Sequence, residues 1–128
     1  MPTTSDSISI KADELAETIA TLALSKKASN IKLIDVRGLT SITDFFLICS
    51  ADSEVQVKAI ANAIQRGTAS KPWRVEGYEH SRWILMDYID VVAHVFTTTE
   101  RDYYNLERLW ADAPLKEFLD EPENISIT

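Results

Sequence analysis

A chain of 128 residues, 45% apolar and 26% charged, is long enough to bury one core and too short for two comfortable domains. Its formal net charge of -7 argues against a general grip on nucleic-acid phosphates, which depends on Lys and Arg. It favours either a basic protein partner or plain solubility. No apolar run approaches the roughly 20 residues that span a bilayer, and the N-terminus lacks the pattern of a signal or transit peptide, so a cytoplasmic protein is expected.

Residues 1–8 are polar and without periodicity and read as a loose lead. From Ser9 the pattern changes: Leu15, Ile19, Leu22 and Ala23 repeat at helical spacing, with Asp13 and Glu14 in the first turn and Lys26 and Lys27 in the last. That predicts a helix of about four turns. Ile31–Val36 reads as a short β-branched strand closed by Gly38, and Phe45–Cys49 as a second after the polar loop TSITD. Ser53 followed three residues later by Gln56 is a capping-box pattern, and Val57, Ile60, Ala61 and Ile64 then keep one helical face as far as about Gly67.

Lys71-Pro72 is a loop, and Val75 and Glu76 suit a very short strand. WILMD (Trp83–Asp87) and VVAHVF (Val91–Phe96), joined by Tyr88-Ile89-Asp90, predict a hairpin. A last helix is expected from near Thr99, with Tyr103, Leu106 and Trp110 on one side, stopping before Pro114. The acidic stretch after it reads as loose. Strands mixed with helices and no repeated βαβ period predict a single α/β domain: a mixed β-sheet of about five strands flanked by helices, over residues 9–113, with flexible tails at 1–8 and 114–128.

Catalytic spacing is thin. Asp87 and Asp90 at a strand end suit a divalent metal for nucleotidyl transfer, and they equally suit the corners of a hairpin turn. Only Gly38, Gly67 and Gly77 are present and none lies in a phosphate-binding loop. His80 and His94 lack the partners of a zinc site, and Cys49, the one cysteine, sits in the apolar run FFLICS as a buried thiol. Scattered basic residues make a stacking groove for RNA a poor fit. No cofactor and no metal are expected.

Recognition chemistry is denser. Trp83, Trp110, Tyr78, Tyr88, Tyr103 and Tyr104 crowd into residues 76–110 among Glu76, Asp87, Asp90 and Glu107, and aromatic anchors ringed by charge suit a protein-binding surface. Period-two alternation puts Trp83, Leu85 and Asp87 on one side of their strand and Arg82, Ile84 and Met86 on the other. Whether the Trp83 side is open or packs under a helix, the alternation alone leaves open.

DVRGLTSITDFFLICSADSEVQVKAIA, from Asp35 to Ala61, then EG, WILMD, VVAHVF and RDYYNLERLW in order and spacing, resemble the ribosomal silencing factors, also called the Iojap family, over about Leu15 to Ala113. The matching positions are Asp35, Thr43, Asp44, Ser50, Gln56, Glu76, Gly77, Trp83, Asp87, Asp90, His94, Phe96, Arg101, Tyr104, Leu106, Glu107 and Trp110. Departures are local: the family usually has Gly where Ala51 and Ile89 stand and often Arg where Val55 stands.

The resemblance implies a degenerate nucleotidyltransferase fold that lacks the active-site carboxylates, hence no enzyme. It implies a translation repressor in the cytoplasm that binds the large ribosomal subunit through its basic protein number fourteen and keeps the small subunit from joining. Together with the shared face of Trp83, Leu85 and Asp87, it leads to Glu76, Trp83, Leu85, Asp87, Tyr88 and His94 as the expected partner-binding residues, with no sequence-specific nucleic acid and no membrane, and with a homodimer in the free state left open. The rival reading is a metal-dependent nucleotidyltransferase using Asp87 and Asp90.

Overall fold

A computed structural model describes residues 4–118, and side chains from Lys11 onward. In chain order the elements are α1 (Thr4–Ser25), β1 (Ser29–Asp35), β2 (Phe45–Ala51), α2 (Glu54–Gly67), β3 (Arg74–Glu76), β4 (Trp83–Asp87), β5 (Val91–Thr97), α3 (Thr98–Tyr104), a 3₁₀ helix Leu106–Trp110, and β6 (Leu115–Phe118). The strands form one mixed sheet in the order β3-β4-β5-β2-β1-β6, parallel only between β2 and β5.

Both long helices cover one face. In α1 the buried positions are Ala12, Ala16, Ile19, Ala20 and Ala23, whose spacing makes a single stripe; small alanines let the helix lie close to its neighbours. α2 is capped by Ser53, whose Oγ accepts the Gln56 N–H at 3.1 Å. The reciprocal half of the predicted capping box does not form, because the Gln56 amide donates instead to the Lys27 carbonyl at 3.3 Å and ties α2 to the turn after α1. Val57, Ile60 and Ile64 are fully buried; at roughly 1.5–3 kcal/mol for each such side chain, this face holds the helix down more than propensity does. Against them lie Leu33, Leu47, Cys49, Ile84, Met86, Ala93 and Val95.

The reverse face has its own core of Ile34, Ile48 and Phe96, with Phe46, Trp83, Leu106 and Trp110 packed around it. With both faces covered, β5 is buried from Val91 to Phe96, as a central strand must be.

Three expectations need correction. The last helix is two pieces: α3 ends where Asn105 turns left-handed (φ 47°, ψ 55°), and the chain re-enters as the 3₁₀ helix. The rotation separates Tyr103, 78% exposed, from Leu106 and Trp110, which pack inward. The segment after Pro114 is not wholly loose, since Leu115–Phe118 pairs antiparallel with β1 from Ile31 to Ile34. Without it the outer edge of β1 would present unpaired backbone groups, and the sheet has six strands where about five were expected. Of the lead segment, Thr4–Ser7 and Ile8 already belong to α1; residues 1–3 and 119–128 lie outside the described residues.

Candidate functional site

Strand register arranges the reverse face in rows. Trp83 stands opposite Phe96, which stands opposite Ser50; Glu76, Leu85, His94, Ile48 and Lys32 form the next row; Arg74, Asp87, Val92, Phe46 and Ile34 form the third. Trp83, Leu85 and Asp87 thus share one side of β4, partly buried, while Ile84 and Met86 point into the helix-covered core.

Trp83 is the hub. Its indole stacks on Phe96 (4.8 Å between centroids, 29°) and meets the Tyr104 ring at 4.8 Å. Its Nε1–H donates to Nδ1 of His94 at 3.0 Å. His94 continues the cluster to Phe46 at 5.6 Å, and Phe46 reaches Trp110 at 5.3 Å. Behind Trp83 the chain approaches closely at Gly77, where φ is +85° and a Cβ would come within 2.0 Å of the Trp83 carbonyl oxygen. Only glycine fits both the dihedral and the gap.

α3 and the 3₁₀ helix are pinned over this cluster by Arg101. Its guanidinium is buried and donates to Ser50 Oγ at 3.1 Å and to Glu107 Oε2 at 2.8 Å. Burial raises the Glu107 carboxyl, but the hydrogen bond and charge of Arg101, with help from Lys32 at 3.8 Å, leave it below the usual range.

Between β3–β4 and α3 a groove of about 360 Å³ opens to solvent, walled by Glu76, Leu85, Trp83, Tyr104, Glu100 and Arg82. Tyr104 is 46% exposed. Glu100, Arg82 and Tyr104 were not among the expected contacts; the family-matched Tyr104 in an aromatic, acidic segment was the available signal, but the break at Asn105 that turns it onto Trp83 has no local signature beyond Asn's tolerance of positive φ.

The other expected residues fall differently. Tyr88 is 8% exposed, its hydroxyl 2.9 Å from Thr68 Oγ1, and burial raises its pKa. It packs on the helix side and offers a partner no surface. His94, 5% exposed, lies beneath Trp83, and burial brings its pKa down to about 4.

Asp87 and Asp90 are both engaged in the hairpin. Asp87 Oδ1 accepts the Ile89 N–H at 2.8 Å and Oδ2 faces Arg74 at 3.6 Å. The Asp90 carbonyl accepts the N–H groups of Asp44 and Phe45, each at 3.1 Å, stitching the turn to β2. Among the described residues no three His, Cys, Asp or Glu side chains are grouped to hold a metal ion. Ile89 itself adopts a φ of +77°, and the Asp90 N–H donates to the Tyr88 carbonyl at 3.0 Å, closing a γ-turn of the rarer, positive-φ form.

The model of the family described as "ribosomal silencing factor during starvation" matches residues 9–127. The chain belongs to that family. A ribosomal silencing factor of Halalkalibacterium halodurans is 50% identical over 97 residues, covering 72% of this chain and 81% of the relative. One from Bacillus subtilis is 46% identical over 95 residues, covering 70% and 79%. A crystal structure of a protein from Chromobacterium violaceum superposes with a TM-score of 0.75 at 33% identity, over 77% of this chain and 85% of that one. It is not described as a nucleotidyltransferase, and likeness to that fold rests on the family resemblance alone. The family match also runs past Ala113, through the strand β6 that closes the sheet. Among the described residues no helix is long and apolar enough to cross a membrane.

Proposed function

We propose that this silencing-factor family member is a non-enzymatic translation repressor, acting in the cytoplasm without cofactor or metal, that docks on the large ribosomal subunit through its basic protein number fourteen and blocks small-subunit joining by occupying the shared surface. The observation that carries the reading is the open groove on the reverse face, where Trp83 and Leu85 lie between Glu76 and Glu100, with Asp87 further along the same side of β4. A half-buried aromatic held rigid by its neighbours loses little entropy on binding, and carboxylates around it fit a basic partner.

Trp83, Leu85, Glu76 and Asp87 are the contact residues in this reading; His94 supports Trp83 from below, and Tyr88 belongs to the helix-side core. A patch of roughly 800 Å² per partner would suffice for a stable complex, and competition for that surface needs no covalent step. The net charge of -7 steers the encounter, so added salt slows association.

Cosedimentation with isolated ribosomal subunits tests the proposal. The wild type is expected with large subunits and not with small ones, and Trp83→Ala is expected to weaken that binding by about 2 kcal/mol. Equal binding to both subunits, or none, overturns it.

A further inference from the structure

We propose that His94 is a positioning residue for the partner surface: by accepting the Trp83 indole proton it holds that ring in the one orientation that presents its exposed edge to the groove. The inference rests on the docking role given above to Trp83, but its central claim concerns an intramolecular bond.

The tautomer follows from the contacts. Nδ1 accepts the Trp83 Nε1–H at 3.0 Å, so the proton of the neutral ring resides on Nε2. That Nε2 is buried and has no hydrogen-bond partner, in a residue only 5% exposed. A buried donor without an acceptor is unfavourable. The strand neighbours of His94 are Leu85 and Ile48, and the rings of Phe46, Trp83 and Phe96 surround it, so a Leu or Phe would fill this apolar place without that cost. The one thing histidine adds is the acceptor for Trp83.

The acceptor matters because the indole has two edges. Stacking on Phe96 and contact with Tyr104 restrict the plane of the ring but not which edge faces inward, since aromatic packing has broad minima. The hydrogen bond selects one edge and satisfies the polar atom inside the sheet. The edge left toward the groove is then carbon only, suited to an aliphatic stem. Without His94 the N–H must seek water, and it finds water by turning toward the groove.

Two variants and one measurement on the wild type test this. His94→Asn places an amide oxygen near the position of Nδ1, whereas His94→Leu has no acceptor. In ¹⁵N-labelled protein the indole N–H signal assigned to Trp83, by its loss in Trp83→Phe, is expected to exchange slowly with solvent in the wild type and His94→Asn and rapidly in folded His94→Leu. Large-subunit affinity is expected to fall about tenfold in His94→Leu and to be largely restored in His94→Asn. Should His94→Leu fail to fold, the wild type still decides: a Trp83 indole proton that exchanges as fast as that of Trp73, which is 70% exposed, overturns the proposal. So does full affinity in folded His94→Leu. A protected indole proton in a protein that binds no large subunits would leave the positioning intact and count against the docking role.

Discussion

The guanidinium of Arg101 meets the carboxylate of Glu107 at 2.8 Å across the left-handed turn at Asn105. One ion pair therefore joins α3 to the 3₁₀ helix, and the same guanidinium reaches the sheet through Ser50. With the Arg101 side chain only 7% exposed, removing one partner strands a charge where water solvates it poorly. Glu107→Gln, which leaves the buried Arg101 charge without its counter-ion, is expected to lower unfolding free energy by about 3 kcal/mol, and Arg101→Met by less, because Glu107 is more exposed and keeps Lys32 at 3.8 Å. Urea unfolding of both variants checks the order; equal, small losses would mean that the pair is not holding the segment.

Ile89 sits at a φ of +77° with its side chain 57% exposed. A β-branched residue pays for that dihedral, and little burial offsets it. Ile89→Gly relieves roughly 1–3 kcal/mol of strain and costs about 0.5–1 kcal/mol in unfolded-chain entropy. A net gain of about 1 kcal/mol, seen as a raised denaturation midpoint with unchanged slope, is the expected result. A loss of stability would show that the turn is unstrained.

What was legible in the chain was whatever depends on neighbours in sequence. Alternation along WILMD placed Trp83, Leu85 and Asp87 together, and the spacing of Val57, Ile60, Ala61 and Ile64 marked the buried face of α2. Features set by distant partners were not. Nothing in LKEF marks a strand; β6 exists because β1 has an edge to cover. Tyr88 and His94 were expected at the partner surface, yet each is buried, Tyr88 beside Thr68 and His94 beneath Trp83. The break at Asn105 serves the Arg101–Glu107 pair, six residues apart and tied to Ser50 fifty-one residues back.

The hairpin carboxylates separate the two functional readings. Asp87→Asn keeps an oxygen for the Ile89 N–H but removes the charge beside the groove, so large-subunit affinity is expected to fall about tenfold, or about 1.4 kcal/mol, with the fold kept. Asp90 acts through its backbone carbonyl, and Asp90→Asn is expected to bind as the wild type does. Magnesium-dependent transfer of labelled nucleotide by the wild type, lost in both variants, would instead support an enzyme.

The burial of His94 sets an acid limit on stability. Its ordinary pKa of 6.5 is brought down to about 4 by burial, so across that interval the unfolded chain binds a proton that the folded one refuses. Stability from this residue is complete above pH 6.5 and is lost as pH falls toward 4, at up to about 1.4 kcal/mol per pH unit. Glu107 contributes with its own window lower down: its folded pKa lies below 4.5, so the stabilisation it brings is present above 4.5 and lost beneath it. Asp44, raised above 3.8 by burial and by Asp90, works in the opposite sense in that same acidic range. Between pH 6.5 and about 5 the histidine dominates, and the wild type is expected to lose about 2 kcal/mol there while His94→Asn, with nothing to titrate at that position, loses far less. Urea midpoints of the two proteins across this interval decide it: parallel curves would mean that the ring takes up its proton while the protein stays folded, and that the sheet is more open around His94 than its contacts with Trp83, Phe46 and Phe96 allow.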